Sequence, residues 1–225
     1  MSVSPKWLHD AWFGTATFQV LPRIIIQKNR LSVVVFRQSG AAMRIRTCQI
    51  KQGPEDVIFQ VPNAMRAYIK QCLDFPAIRL DVSLPRLRIV IEMGASAIQY
   101  HFPNIERADD VHIEPHENDM TIHIPTGEWI AICKTMPVKG TLSICTTHQK
   151  RAVTLQHSKG RWVAGTTAAE PSPKGKTFQC NSGVMKFIHQ QDIDGMMSDL
   201  TFMHCGVLRI ETTPENIIYL APIEE

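Results

Sequence analysis

At 225 residues, 44% hydrophobic and 20% charged, the chain is long enough for one large domain or two ordinary ones and can bury a sizeable core. This composition excludes disorder, and no apolar run approaches the roughly 20 residues a membrane-spanning helix needs, so no membrane segment is expected. A formal net charge of +3 favours a nucleic-acid partner only where the basic residues share one face.

The N-terminal MSVSPKWLHDAW carries one Lys and two Trp but no apolar core of a signal peptide, which argues against export. Its period predicts a short helix over Pro5–Phe13. Strands follow in LSVVVF and MRIRTCQI, rich in β-branched residues and bounded by turn residues. A second helix is predicted over Pro62–Asp74. There Ala64, Met65, Tyr68, Ile69, Cys72 and Leu73 recur at helical spacing, and Arg66, Ala67, Lys70 and Gln71 take the opposite side. Further strands read as AIRLDVSL, LRIVIEM and AIQYHF. The segment FPNIERADDVHIEPHEN, acidic and holding two Pro, reads as an exposed linker. A third helix is predicted over Thr126–Met136, with Trp129 and Cys133 apolar and Glu128, Ala131 and Lys134 opposite. Then come a strand at TLSICTT, a polar loop from Thr166 to Lys176, a fourth helix over Asn181–Ile193 that turns Lys186 and His189 outward, and a last strand at IIYLA. Strand predominates over helix, so the class is α+β.

The chain also repeats itself. FQVPNAMRAYIKQ answers FQCNSGVMKFIHQQ; Trp7 recurs as Trp129, Arg30 as Arg151 and Arg88 as Arg209, each about 121 residues on. Two similar domains follow, over 1–103 and 118–225, with the linker at 104–117.

Enzymatic signatures are sparse. GxGxxG, P-loop, GxSxG and HExxH patterns do not occur. His112 and His116, with Asp109 and Asp110 nearby, sit in a Pro-flanked segment and read as surface histidines rather than metal ligands. Cys133 lies on the apolar side of its helix, as a core thiol does, and the six cysteines form no CxxC pair, which suits a reducing compartment. Helical spacing places Trp7, Trp12 and Trp129 in the core. Neither cofactor nor metal is expected, and the chain is not read as an enzyme.

Two words carry a family resemblance: IHIPTGEWIAICKTM and the terminal IIYLAPIEE. With weaker likeness in VPNAMRAYIKQCL and DVHIEP, the chain resembles the DNA sliding clamps of the proliferating cell nuclear antigen type over nearly its whole length. It is mildly basic where cellular members are acidic, which points to a divergent clamp, viral ones included. The resemblance implies antiparallel sheets outside and helices lining a DNA channel, in a processivity factor that encircles duplex DNA and tethers polymerase and repair proteins. The alternatives are a checkpoint-type clamp subunit, a monomeric viral processivity factor holding DNA by charge, and a clamp-fold transcription or assembly scaffold without sliding.

By the same resemblance, Lys6, Arg66, Lys70, Lys134, Lys186 and His189 face duplex DNA. Met43, Val111, Ile113, Tyr219, Leu220, Ala221 and Pro222 form a groove for clamp-binding peptides of a DNA polymerase and other partners. Ile98, Tyr100 and Phe102 on one edge strand, with Trp162 and Ala164 on another, form the subunit interface of a homotrimer. The implied setting is intracellular, in the nucleus or at a site of viral DNA replication, with a clamp loader as a further partner.

Overall fold

The computed structural model describes residues 1–13, 22–36, 42–51, 56–109, 113–147, 152–165, 175–185 and 196–223. The chain divides into two compact units, Met1–Phe36 with Ile45–His112 and Arg37–Arg44 with Ile113–Glu225.

In the first unit the elements run β1 (Ser2–Val3), α1 (Pro5–Phe13), β2 (Arg23–Gln27), β3 (Arg30–Phe36) and β4 (Ala42–Gln49), whose first residues belong to the second unit. Then come β5 (Val57–Gln60), α2 (Asn63–Gln71), β6 (Ile78–Ser83), β7 (Arg86–Met93) and β8 (Ser96–Phe102). Strands β1-β6-β7-β8 pair in that order, as do β5-β2-β3-β4. Alternation sets the buried face: in β6 and β7, Ile78, Leu80, Leu87, Ile89 and Ile91 are each 1% exposed or less. They join one core with Leu8 and Ala11 of α1, Met65 and Ile69 of α2, and Cys72 just past its end.

The second unit runs β9 (Met120–Pro125), α3 (Thr126–Thr135), β10 (Thr141–Thr147), β11 (Ala152–His157), β12 (Gly160–Gly165), β13 (Thr177–Asn181), a 3-10 turn (Ser182–Met185), β14 (Met197–Phe202), β15 (Leu208–Thr213) and β16 (Asn216–Leu220). Here β9-β14-β15-β16 pair in order, and so do β13-β10-β11-β12. Within these four-strand runs, each strand takes the neighbours that its counterpart eight strands earlier takes, which is the internal duplication written in backbone hydrogen bonds.

Three expectations change. The packed stripe of α2 is narrower and the helix shorter than its spacing predicts: Met65 and Ile69 are fully buried and Ala64 faces solvent, while the helix ends at Gln71, so that Cys72 is its buried C-cap and Leu73 lies in the exposed turn beyond. The fourth helix does not start at Asn181. That residue closes β13, its Oδ1 accepts the N–H of Gly183 at 2.9 Å, and a single 3-10 turn follows; 186–195 lie outside the described residues. The predicted linker begins as part of the first unit. Ile105 is 6% exposed and donates its N–H to Pro85 at 2.7 Å. Glu106 accepts from Gln60, and Ala108 donates to Ile58, so this stretch satisfies its backbone by running along β5.

Candidate nucleic-acid interface

The helices bring the predicted basic residues to the surface of each unit. In α2, burial of Met65 and Ile69 holds the opposite face outward, and Arg66, Ala67, Lys70 and Gln71 are all exposed. No acidic residue lies within α2, and Lys70 occupies its last turn, where the helix dipole favours a cation. Helix α1 packs against α2 and exposes Lys6. In the second unit, Trp129 and Cys133 are wholly buried, and the outer side of α3 shows Gly127, Glu128, Ala131, Lys134 and Thr135. Such faces, made of small side chains with a few long cations, offer phosphates charge without reading bases. Lys186 and His189 lie outside the described residues.

The thiols beneath these faces are inert. Burial pushes Cys180 up to about 12 and Cys48 up to about 11, and it raises Cys133 further. All six cysteines are free. Trp12 and Trp129 are buried and Trp7 packs against the core, so none of the three stacks on a base; Trp162 is half-buried beside Gly160. Among the described residues, no cluster of His, Cys, Asp and Glu is arranged to hold a metal.

Of the predicted peptide groove, Val111 lies outside the described residues, and the rest belongs to the second unit. Met43 is 7% exposed and Ile113 is half-buried. Leu220 is corrected from wall to core: alternation along β16 sends Asn216, Ile218 and Leu220 inward, leaving Tyr219 half-exposed on the other face. Ala221 and Pro222 continue outward, and the tail is pinned where Ile223 donates its N–H to Gln179 at 3.0 Å.

The two predicted interface strands are both sheet edges: among the described residues β8 pairs with β7 alone and β12 with β11 alone. Their side chains divide. Ile98 is 37% exposed, but Tyr100 packs against Tyr68 as a tilted pair with ring centroids 4.2 Å apart, and Phe102 is buried. Ala164 is fully buried, so at this edge it can offer a partner only its backbone.

One cluster had no signal in the sequence. The rings of His116 and His204 stack at 4.0 Å beside Asp119, whose side chain is 8% exposed. Burial raises the Asp119 carboxyl, yet hydrogen bonds from the backbone N–H of His116 and His204, and from the His204 ring, outweigh it and hold the group below the ordinary carboxylate range.

No family model matches the sequence, and no curated protein matches it. Among solved structures, the chain is similar to a crystal structure described as a candidate DNA polymerase III beta subunit from Eubacterium rectale. The TM-score is 0.74 and the identity 12%; the match covers 100% of this chain and 65% of that one. The chain thus spans about two-thirds of the length of this neighbour, and at such low identity the likeness establishes the fold, a clamp-like one, and nothing narrower.

Proposed function

We propose that the chain is a non-enzymatic DNA polymerase processivity factor, a sliding clamp of the proliferating cell nuclear antigen type. The observation that carries this reading is that both units expose a helix face of small and basic residues, Arg66 with Lys70 and, separately, Lys134, on a clamp-like fold. The description of the neighbour as a polymerase subunit adds weight to it. A protein that slides must hold phosphates without preferring a sequence, and scattered cations on rigid helices meet that need. Two units are too few to surround a duplex, so the reading includes a head-to-tail homotrimer whose open edges, β8 and β12, pair between subunits. Duplex DNA, a polymerase and other proteins bearing clamp-binding peptides are the partners, with a loader to open the ring. A monomer holding DNA by charge is the second reading, favoured by the net charge of +3.

Primer extension on a long template, together with DNA binding, tests the proposal. Arg66→Glu, Lys70→Glu and Lys134→Glu combined should weaken DNA binding at least tenfold and shorten extension products. The melting temperature should stay near that of the parent, because exposed charges contribute little to folding. Affinity should fall steeply with salt and hardly vary with sequence. Undiminished processivity, or a marked preference for one DNA sequence, would count against a clamp.

A further inference from the structure

Sheet β1-β6-β7-β8 in the first unit borders a concave pocket of about 740 Å³ that lies apart from the proposed DNA-binding and peptide-groove residues, one wall being Phe102 of the edge strand β8. Register explains its chemistry. Asp81, Arg88 and His101 stand directly opposite one another across β6, β7 and β8, and Arg86 lies two residues before Arg88 on the same face. All four line the pocket, together with Val82 and Pro103.

The donors outnumber the acceptors. Asp81 is spent: its Oδ1 accepts from Arg79 at 3.1 Å, and its Oδ2 accepts from Arg88 Nε at 3.1 Å and Nη2 at 2.6 Å. Glu92 is engaged by Arg79. Arg88 also reaches Gln99 Oε1 at 3.4 Å, so two of its five N–H donors remain unspent while Asp81 fixes the guanidinium plane. Arg86 and His101 have no hydrogen-bond or ion-pair partner among the described residues. A pre-set arginine beside an unpartnered one selects an oxyanion, and the planar fork suits a carboxylate. The volume decides the size of the ligand. It falls in the size range of sites that take a small molecule or a peptide segment along an open groove, and a lone ion would leave it largely empty.

We infer that this pocket, rimmed by Arg86, Arg88 and His101, is a docking site for an acidic peptide segment of a partner protein, with a Glu or Asp carboxylate on the arginines and an adjacent apolar side chain filling the remainder. The site lies wholly within the first unit and is independent of the proposed DNA-binding and peptide-groove residues.

The test is fluorescence anisotropy on the full chain with a labelled decapeptide of alternating glutamate and leucine, and the same peptide with glutamine for glutamate as control. The glutamate peptide should bind, and the glutamine peptide should bind at least tenfold more weakly. Arg86→Glu should weaken the glutamate peptide at least tenfold, and His101→Gln should do so less. Arg86 opens β7 beside an exposed turn and its side chain faces solvent, so an unchanged melting temperature is expected; amide shifts on peptide addition give a second readout, and should centre on residues 80–88 and 101–103. Equal binding of both peptides, no effect of Arg86→Glu in the folded variant, or shifts confined elsewhere would overturn the inference. So would loss of duplex-DNA affinity in Arg86→Glu equal to the loss of peptide affinity, because the arginines would then serve phosphates.

Discussion

Asp119 shows how one carboxylate can organise chain ends distant in sequence. It accepts the backbone N–H of His116 at 2.9 Å and of His204 at 2.7 Å, so it ties the segment before β9 to the turn between β14 and β15. Because these bonds favour the ionised form, the folded-state carboxyl titrates lower than the unfolded one. Its contribution is therefore complete at neutral pH and disappears as pH falls through the ordinary carboxylate range and below. Asp119→Asn keeps one acceptor and loses the charge, which should cost about 1–2 kcal/mol at neutral pH. Chemical denaturation at pH 7 and at roughly pH 3 checks this, because the gap between parent and variant should shrink once the parent's carboxyl is protonated. An equal gap at both values would mean that shape, not charge, holds the turn. Nothing in the residue order announces this cluster: the two histidines meet only through the pairing of β9 with β14.

At the scale of elements, the edge strand β8 tests assembly. Ile98, Tyr100 and Phe102 share a face by alternation, yet their exposure falls along the strand, from 37% at Ile98 to 6% at Phe102. Tyr100 rests against Tyr68 of α2, and its hydroxyl lies 3.4 Å from Gln71, so changing it would disturb the first unit as well as any interface. Ile98 is the cleaner probe. Ile98→Lys places a charge beside an open edge, a device that blocks strand addition. Light scattering should show the mass fall from that of a trimer to that of a single chain, with the melting temperature of the unit little changed. A mass identical to the parent's would remove β8 from the interface. That AIQYHF is a strand was legible in the sequence, because it alternates; its place at an edge was implied only by the family resemblance. The loss of exposure along it was not legible, because it depends on where α2 stops.

For the whole molecule, the proposed peptide groove joins residues far apart in the chain. Ile113 is aliphatic and half-buried in a segment otherwise charged or polar, and Tyr219, Ala221 and Pro222 remain accessible after Leu220 turns into the core. Val111→Asp with Ile113→Asp should weaken a polymerase tail peptide at least tenfold by calorimetry, since apolar anchors dominate such contacts. Mass and DNA affinity should persist, which separates this site from the edges and the helices. Unchanged peptide affinity would place docking elsewhere.

The sequence by itself determined the repeat, the first three helices with most of the strands, and the outward turn of Arg66, Lys70 and Lys134, because periodicity is local and each apolar stripe needs only its own neighbours to declare a face. It also placed Trp12, Trp129 and Cys133 in the core for the same reason. Only the tertiary structure decided that Leu220 faces inward, that residues 105–108 run along β5, that Asn181 caps a 3-10 turn rather than opening a helix, and that Arg86, Arg88 and His101 share a pocket with Asp81 already occupied. Each of these depends on which distant strand supplies the hydrogen bonds, and that choice is made by the pairing of whole sheets, not by any stretch read alone.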